Sequence, residues 1–153
     1  MKGIKIVEVA SKEVGQTESP KNSNKTKYGK WFGFDGVSWC AIFCSWVYAQ
    51  AGYPLGNIGY TKGFAGCQSA VAHFKASGEV TKTPISGDLV FYDWQGDGKY
   101  DHVGIFNNWK VKDKEFHSIE GNTAIGNDSN GGQVMHRVRS NKNVVFVHPK
   151  VLD

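Results

Sequence analysis

Cysteine is scarce in this chain, paired zinc ligands are missing, and no apolar stretch runs long enough to cross a bilayer. Each absence excludes a class of protein. Three cysteines among 153 residues are an odd count, which rules out a complete disulfide framework. Without paired zinc ligands, an RNP-like aromatic strand or a long arginine stripe, the chain carries no nucleic-acid-binding signature. Its apolar runs fall well short of the roughly 20 residues a spanning helix needs. Met1 to Gly15 is interrupted by lysines and offers neither a signal-peptide core nor a small-residue cleavage site. No internal repeat, low-complexity tract or linker divides the chain. The expectation is a single domain over residues 1–153, soluble and monomeric, without an export signal, a nucleic-acid partner or a membrane partner.

What is present is globular in character. Hydrophobic residues make up 40% and charged residues 21%, a balance typical of a folded core. The aromatics comprise five Trp, six Tyr and nine Phe, enough to fill a core or to line a groove for an extended polar substrate. The net charge is only +4. A basic cluster over Lys21–Lys30 reads either as a solvated loop or as a surface that attracts an anionic polymer such as a cell wall. Beside it, Tyr28, Trp31 and Phe32 are groove candidates, whereas Trp39 and Trp46 read as core.

The first half reads helical and the second half reads as strands. Ile4, Val7, Ala10 and Val14 fall near one face of an N-terminal helix. A polar loop follows from Gln16 to Gly36. An apolar helix runs from Cys40 to about Ala51, stopped by Gly52 and Pro54. Another extends from Thr61 or Phe64 to Ala76 and closes at Gly78. Then the period changes to two. Short strands are expected at Asp88–Tyr92, His102–Phe106, Glu115–Glu120, Gln133–Val138 and Val144–Val147. Helices followed by neighbouring strands give an α+β fold with helices packed on an antiparallel sheet.

The chemistry centres on Cys40, in Gly36-Val37-Ser38-Trp39-Cys40-Ala41-Ile42. A thiol at a helix N-terminus feels the positive end of the macrodipole, which favours its thiolate. Downstream come Asp101-His102-Val103-Gly104-Ile105 and Ile119-Glu120-Gly121-Asn122. A cysteine, a histidine, and an acid two residues before an asparagine are what a thiol-protease-like site requires. Period-2 placement puts Phe116, Ser118 and Glu120 on one strand face, continued by Asn122 if the chain stays extended. His102 shares its face with Gly104, which leaves room beside the imidazole. Cys44 and Cys67 read as small buried packing residues.

A second constellation precedes His102. Asp93, Gln95, Asp97, the Lys99 carbonyl and Asp101 alternate around Gly96 and Gly98 at calcium-ligand spacing. Gln95 stands where an EF-hand wants Asp or Asn, and Gly104 where it wants a bidentate Glu. The same residues also suit a metal-free polar hairpin turn. The expectation is Ca²⁺ in this loop, which would fix His102 as well as stabilise the fold.

Four stretches together resemble the CHAP family, the cysteine- and histidine-dependent amidohydrolases/peptidases of phage lysins and bacterial wall enzymes. They are Trp39-Cys40-Ala41, Pro84-Ile85-Ser86-Gly87-Asp88-Leu89-Val90-Phe91, Asp101-His102-Val103-Gly104-Ile105 and Glu120-Gly121-Asn122. The resemblance implies a papain-like (NlpC/P60-like) α+β fold and cleavage of a peptidoglycan amide bond, by an N-acetylmuramoyl-L-alanine amidase or a stem-peptide or cross-bridge endopeptidase. It implies Cys40 as nucleophile, His102 as base, Glu120 as the residue orienting the histidine, and Asn122 as an auxiliary polar group or oxyanion donor. It also implies an endolysin, made in the host cytoplasm and released to the wall by a holin. An NlpC/P60-type endopeptidase and a non-catalytic, calcium-dependent wall-binding module are the alternatives.

Overall fold

A computed structural model describes all residues, Met1–Asp153. Helices α1 (Lys2–Ser11), α2 (Lys27–Phe32), α3 (Cys40–Gln50) and α4 (Cys67–Ala76) come first. The strands follow as β1 (Val80–Thr81), β2 (Leu89–Tyr92), β3 (His102–Val111), β4 (Glu115–Thr123), β5 (Gln133–Ser140) and β6 (Val144–Val147), before a short 3-10 turn at Lys150–Leu152. The six strands form one sheet in the order β1-β6-β2-β3-β4-β5, antiparallel throughout. The α+β fold read from the sequence is the fold observed.

Both faces of the sheet are covered, which explains why all four residues of β2 are buried. On one face Leu89, Phe91, Val103, Ile105 and Ile119 pack with the helices. On the other, Val90, Tyr92, Phe106, Phe116 and Phe146 form a separate aromatic cluster. Helix α3 is apolar all round, burying Cys40–Ser45, Val47 and Tyr48, as a central core helix must be. It packs against α1, α2, β3 and β4.

Four local expectations differ. The polar segment 16–36 contains α2, whose start is capped by the Thr26 hydroxyl accepting from the Gly29 N–H and whose end is Gly33. This helix turns Tyr28 and Phe32 into the core, not toward a groove, and leaves only Trp31 partly exposed. Helix α1 buries Gly3, Ile6 and Ala10, while Ile4 and Val14 are exposed. Gly3 sets that face, because a Cβ there would lie 1.9 Å from the Ser86 carbonyl oxygen.

Helix α4 starts later than periodicity predicts. Residues 61–66 form a loop that drives Phe64 into the core, and the loop is held by Ser45. Its hydroxyl accepts from the Phe64 N–H at 3.1 Å and reaches the Phe64 and Ala41 carbonyls at 3.0 and 3.2 Å. The two-residue strand β1 escaped the sequence reading because two residues carry no period.

Replacing Ser45 by Ala is expected to lower stability by about 1–3 kcal/mol, the cost of leaving a buried backbone donor unpaired. Urea unfolding measures this, and an unchanged midpoint would show that the Phe64 loop holds without the hydroxyl.

Candidate active site

The start of α3 faces the beginning of β3 and the far part of β4, and three side chains meet there. Cys40 is the first residue of α3, His102 the first of β3, and Glu120 lies within β4. Cys40 is 5% exposed, and His102 and Glu120 are fully buried.

Each element delivers its group for a local reason. In α3 the Phe43 N–H is the first to bond back, to the Trp39 carbonyl at 2.9 Å. The amides of Cys40, Ala41 and Ile42 therefore have no intrahelical acceptor, and they place partial positive charge at the sulfur. Strand β3 pairs with β2 from Tyr92↔His102 to Leu89↔Ile105, but with β4 only from Ile105↔Ile119 onward. The edge at His102–Gly104 is thus unpaired toward β4, which leaves the Val103 amide beside the Cys40 sulfur, where it favours the thiolate. Gly104 has a further role. A Cβ there would come within 2.5 Å of Glu120 Cγ, so the Glu120 arm crosses a position only glycine leaves open.

Glu120 Oε1 lies 3.0 Å from His102 Nε2. Tyr92 Oη donates to Glu120 Oε2 at 2.8 Å, and the Ser118 hydroxyl donates to the same oxygen. Arg139 completes the shell, with Nε on Oε2 at 3.0 Å and Nη2 on Oε1 at 2.6 Å. Burial alone would raise the Glu120 pKa, but His102 and Arg139 outweigh it and hold the carboxyl well below its usual range. Burial pushes His102 down, yet the Cys40 thiolate and Glu120 reverse that and hold it at about 9. For Cys40 the neighbouring Cys67 thiol, acting as donor, does most to lower the pKa; burial opposes it, and His102 and the Val103 amide add to the lowering.

The favoured state is a thiolate beside an imidazolium. His102 Nδ1 is buried and makes no hydrogen bond. Sulfur and ring are close enough to shift one another's charge without an aligned bond, and such bonds commonly tighten only around substrate. Cys67, expected to be inert packing, opens α4 beside the nucleophile, and its own thiol is pushed up by that contact and by burial. Cys44 is buried and its thiol is held neutral by burial first.

Asn122 is brought near but does not continue the Glu120 face. The β4–β5 register breaks between Glu120 and Thr123, and Asn122 adopts φ 57°. Its Oδ1 accepts from the Gly132 N–H at 3.0 Å, and its Nδ2 donates to Ser38 Oγ at 3.3 Å and Asn130 Oδ1 at 3.4 Å. It clamps the loop before Cys40 to the loop before β5. Beside that clamp is a cavity of ≈ 270 Å³ with no hydrophobic lining, bounded by Thr17, Glu18, Lys21, Asn22, Gly131 and Gly132 among others. Glu18 Oε2 accepts from the Trp39 indole at 3.2 Å, which ties the cavity to the residue before Cys40. A larger cavity of ≈ 410 Å³, lined by Glu79, Thr81, Ile85 and His148 among others, contains none of these groups.

The expected calcium residues share the β2–β3 loop but build no cage. No three His, Cys, Asp or Glu side chains converge to hold a metal ion. The carboxylates turn inward instead. Asp93 accepts from the Asp97 and Gly98 amides at 3.2 and 2.9 Å, Asp97 from Lys99 at 3.0 Å, and Asp101 from Trp94 at 3.2 Å. Gln95 and Lys99 contribute no side-chain contact to the loop. Alternating acids suit this self-closing turn as well as they suit a cation, so spacing alone does not choose between them. What the loop does deliver is Trp94, stacked on His102 with centroids 5.6 Å apart.

Sequence reasoning missed Arg139, Tyr92, Ser118 and Cys67. Ser118 was placed on the Glu120 face without a role. For Arg139 the signal is two arginines, Arg137 and Arg139, alternating on one face of a strand, which becomes informative only once the β4–β5 register is known.

A family model for the CHAP domain matches residues 32–122, more than half of the chain. Comparison with curated proteins and with solved structures gives no match.

Two outcomes follow from this geometry. The ion pair spans the window from the depressed Cys40 pKa up to about 9, where His102 deprotonates. Alkylation of Cys40 by iodoacetamide, followed by peptide mass mapping, should therefore stay fast at about pH 6, where a free thiol of pKa about 8.5 is almost wholly protonated. A single rise near that free-thiol value would dismiss the ion pair. Chelation by EDTA is expected to leave the melting temperature and activity unchanged, since amides already close the acidic loop. A calcium-dependent rise of several degrees would show its carboxylates turning outward around the ion.

Proposed function

This chain belongs to the CHAP family, and from that premise we propose that it hydrolyses an amide bond of bacterial peptidoglycan through Cys40, His102 and Glu120. Proteins of the family are cysteine- and histidine-dependent amidohydrolases or peptidases, usually acting on peptidoglycan. The observation that carries the proposal is the buried Cys40–His102–Glu120 set, with the nucleophile at a helix start and the imidazole anchored at Nε2.

In the reaction we infer, the Cys40 thiolate attacks the amide carbonyl. The developing oxyanion meets the unpaired amides at the start of α3, which are fixed in place before charge develops. The imidazolium then gives its Nδ1 proton to the leaving amine, and a thioester remains on Cys40. Neutral His102 takes a proton from water, which adds to the thioester and releases the acid, regenerating the thiolate–imidazolium pair. Glu120 keeps the ring in one orientation and compensates its positive charge. Asn122 serves as the auxiliary polar group by fixing Ser38, two residues before the nucleophile.

The polar cavity beside Trp39 is the natural place for a peptide rich in amides and charge. The same chemistry serves an N-acetylmuramoyl-L-alanine amidase and a stem-peptide or cross-bridge endopeptidase, and a phage lysin is the setting we favour. No helix is long and apolar enough to cross a membrane, and we place the action at the wall. The non-catalytic alternative gives no reason for a buried, charge-compensated imidazole beside a thiol.

Cys40→Ala should leave the fold intact, retain binding to purified wall, and lower the rate of wall solubilisation by roughly 10³-fold or more, in keeping with removal of a nucleophile. Undiminished lysis would refute the assignment. Mass spectrometry of the digest then names the bond, through new amino termini on alanine or on a cross-bridge residue.

A further inference from the structure

Glu120 depends on a group that lies beyond the family-matching stretch, on β5. Arg139 is 9% exposed and spreads its guanidinium over two carboxylates. Nε and Nη2 bind the two oxygens of Glu120 at 3.0 and 2.6 Å, while Nη1 binds Asp128 Oδ1 at 2.8 Å. Asp128 belongs to the loop between β4 and β5 and also binds Arg137 Nη2 at 2.8 Å. The Arg139 Cζ lies 5.0 Å from the Trp94 ring and 5.5 Å from the Tyr92 ring. Those two rings also stack on His102, at 5.6 and 5.8 Å.

Apart from Arg139, Glu120 is held by His102 at Oε1 and by the Tyr92 and Ser118 hydroxyls at Oε2, and single-point donors of this kind follow a carboxylate as it turns. A planar fork gripping both oxygens removes that freedom, which a point charge such as lysine does only in part. Here the constraint matters because Oε1 is shared: it accepts from Arg139 and faces His102 Nε2 at once. Turning the carboxylate plane breaks the contact that aims the imidazole at the sulfur.

We propose that Arg139 is a positioning residue for the Cys40–His102 pair, locking the plane of the Glu120 carboxylate and itself locked by Asp128. Its consequence for turnover rests on the hydrolase reading above; its consequence for the thiol rests on the contacts alone. The competing role is purely structural, an ion pair that fastens β5 to β4 and affects nothing but stability.

The test uses the full chain carrying Arg139→Met, Arg139→Lys or Asp128→Asn, with three readouts. These are melting temperature, kcat and KM on soluble wall fragments, and the rate of Cys40 alkylation by iodoacetamide at a fixed, mildly acidic pH. The Met variant is expected to lose about 10- to 100-fold in kcat with KM within about twofold, as expected when orientation and not binding is removed, and to alkylate several-fold more slowly. The Lys variant should recover part of both losses, and Asp128→Asn should show a smaller loss of the same kind. If Arg139→Met does not fold, the Lys and Asn variants carry the comparison. Wild-type kcat and alkylation in the variants would overturn the proposal, as would a lowered melting temperature with no change in either rate. Absence of wall cleavage by the wild-type protein would count against the hydrolase reading, while the alkylation rates would still judge Arg139.

Discussion

A carboxylate with no exposed surface is the constraint around which this sheet is assembled. Leaving Glu120 ionised in the interior costs several kcal/mol unless every lone pair finds a donor. The donors come from four adjacent strands: Tyr92 on β2, His102 on β3, Ser118 on β4 itself and Arg139 on β5. Satisfying this one group therefore requires those strands to be neighbours in that order and in that register. The aromatic cluster beneath, with Tyr92, Phe106 and Phe116 fully or nearly fully buried, excludes the water that would otherwise solvate the charge. Burial pushes the Glu120 pKa up, and pairing with His102 and Arg139 overrides it and keeps the carboxylate ionised.

The helix side answers a different requirement. A thiolate needs positive potential without being neutralised by a strong permanent partner, or it would not be nucleophilic. Three weak sources supply it: free amides at the start of α3, the Val103 amide from an unpaired stretch of β3, and the Cys67 thiol at the start of α4. The one full positive charge nearby, His102, is itself compensated by Glu120. Negative and positive charges thus alternate from Cys40 through His102 and Glu120 to Arg139 and Asp128. In a chain of alternating charges each group stabilises its neighbour's ionised form, so losing any member weakens the next.

The sequence made some of this legible and hid the rest for identifiable reasons. Helix α3 was legible as an apolar run stopped by Gly52 and Pro54, and strands β2 to β6 as short apolar or alternating runs bounded by turn residues. The meeting of Cys40, His102 and Glu120 was legible because each sits at the end of a patterned segment. Helix α2 was hidden because six residues are too few for a period to stand out in a polar segment, although Tyr28, Trp31 and Phe32 stand at helical spacing and Thr26 caps the start. Gly104 was read as space for the imidazole, whereas it is space for the Glu120 arm. The Asp93–Asp101 loop reads two ways because alternating carboxylates offer the same lone pairs to backbone amides and to a cation, and here the amides take them. Arg139 was invisible because a charged residue on a strand reads as solvent-facing until its partner strand is known.

The loop between β4 and β5 draws the two halves of the site together. Asp128 anchors Arg139, Asn130 hydrogen-bonds the Asn122 clamp, and Gly131 and Gly132 line the polar cavity. The wall of the cavity and the support of the Glu120 carboxylate are therefore one stretch of chain. The cavity wall and the Glu120 fork share a single mechanical support here, so displacing this loop would disturb both at once. That coupling is built from ordinary parts: one buried ion pair, one asparagine clamp, and two glycines that let the backbone form the cavity wall.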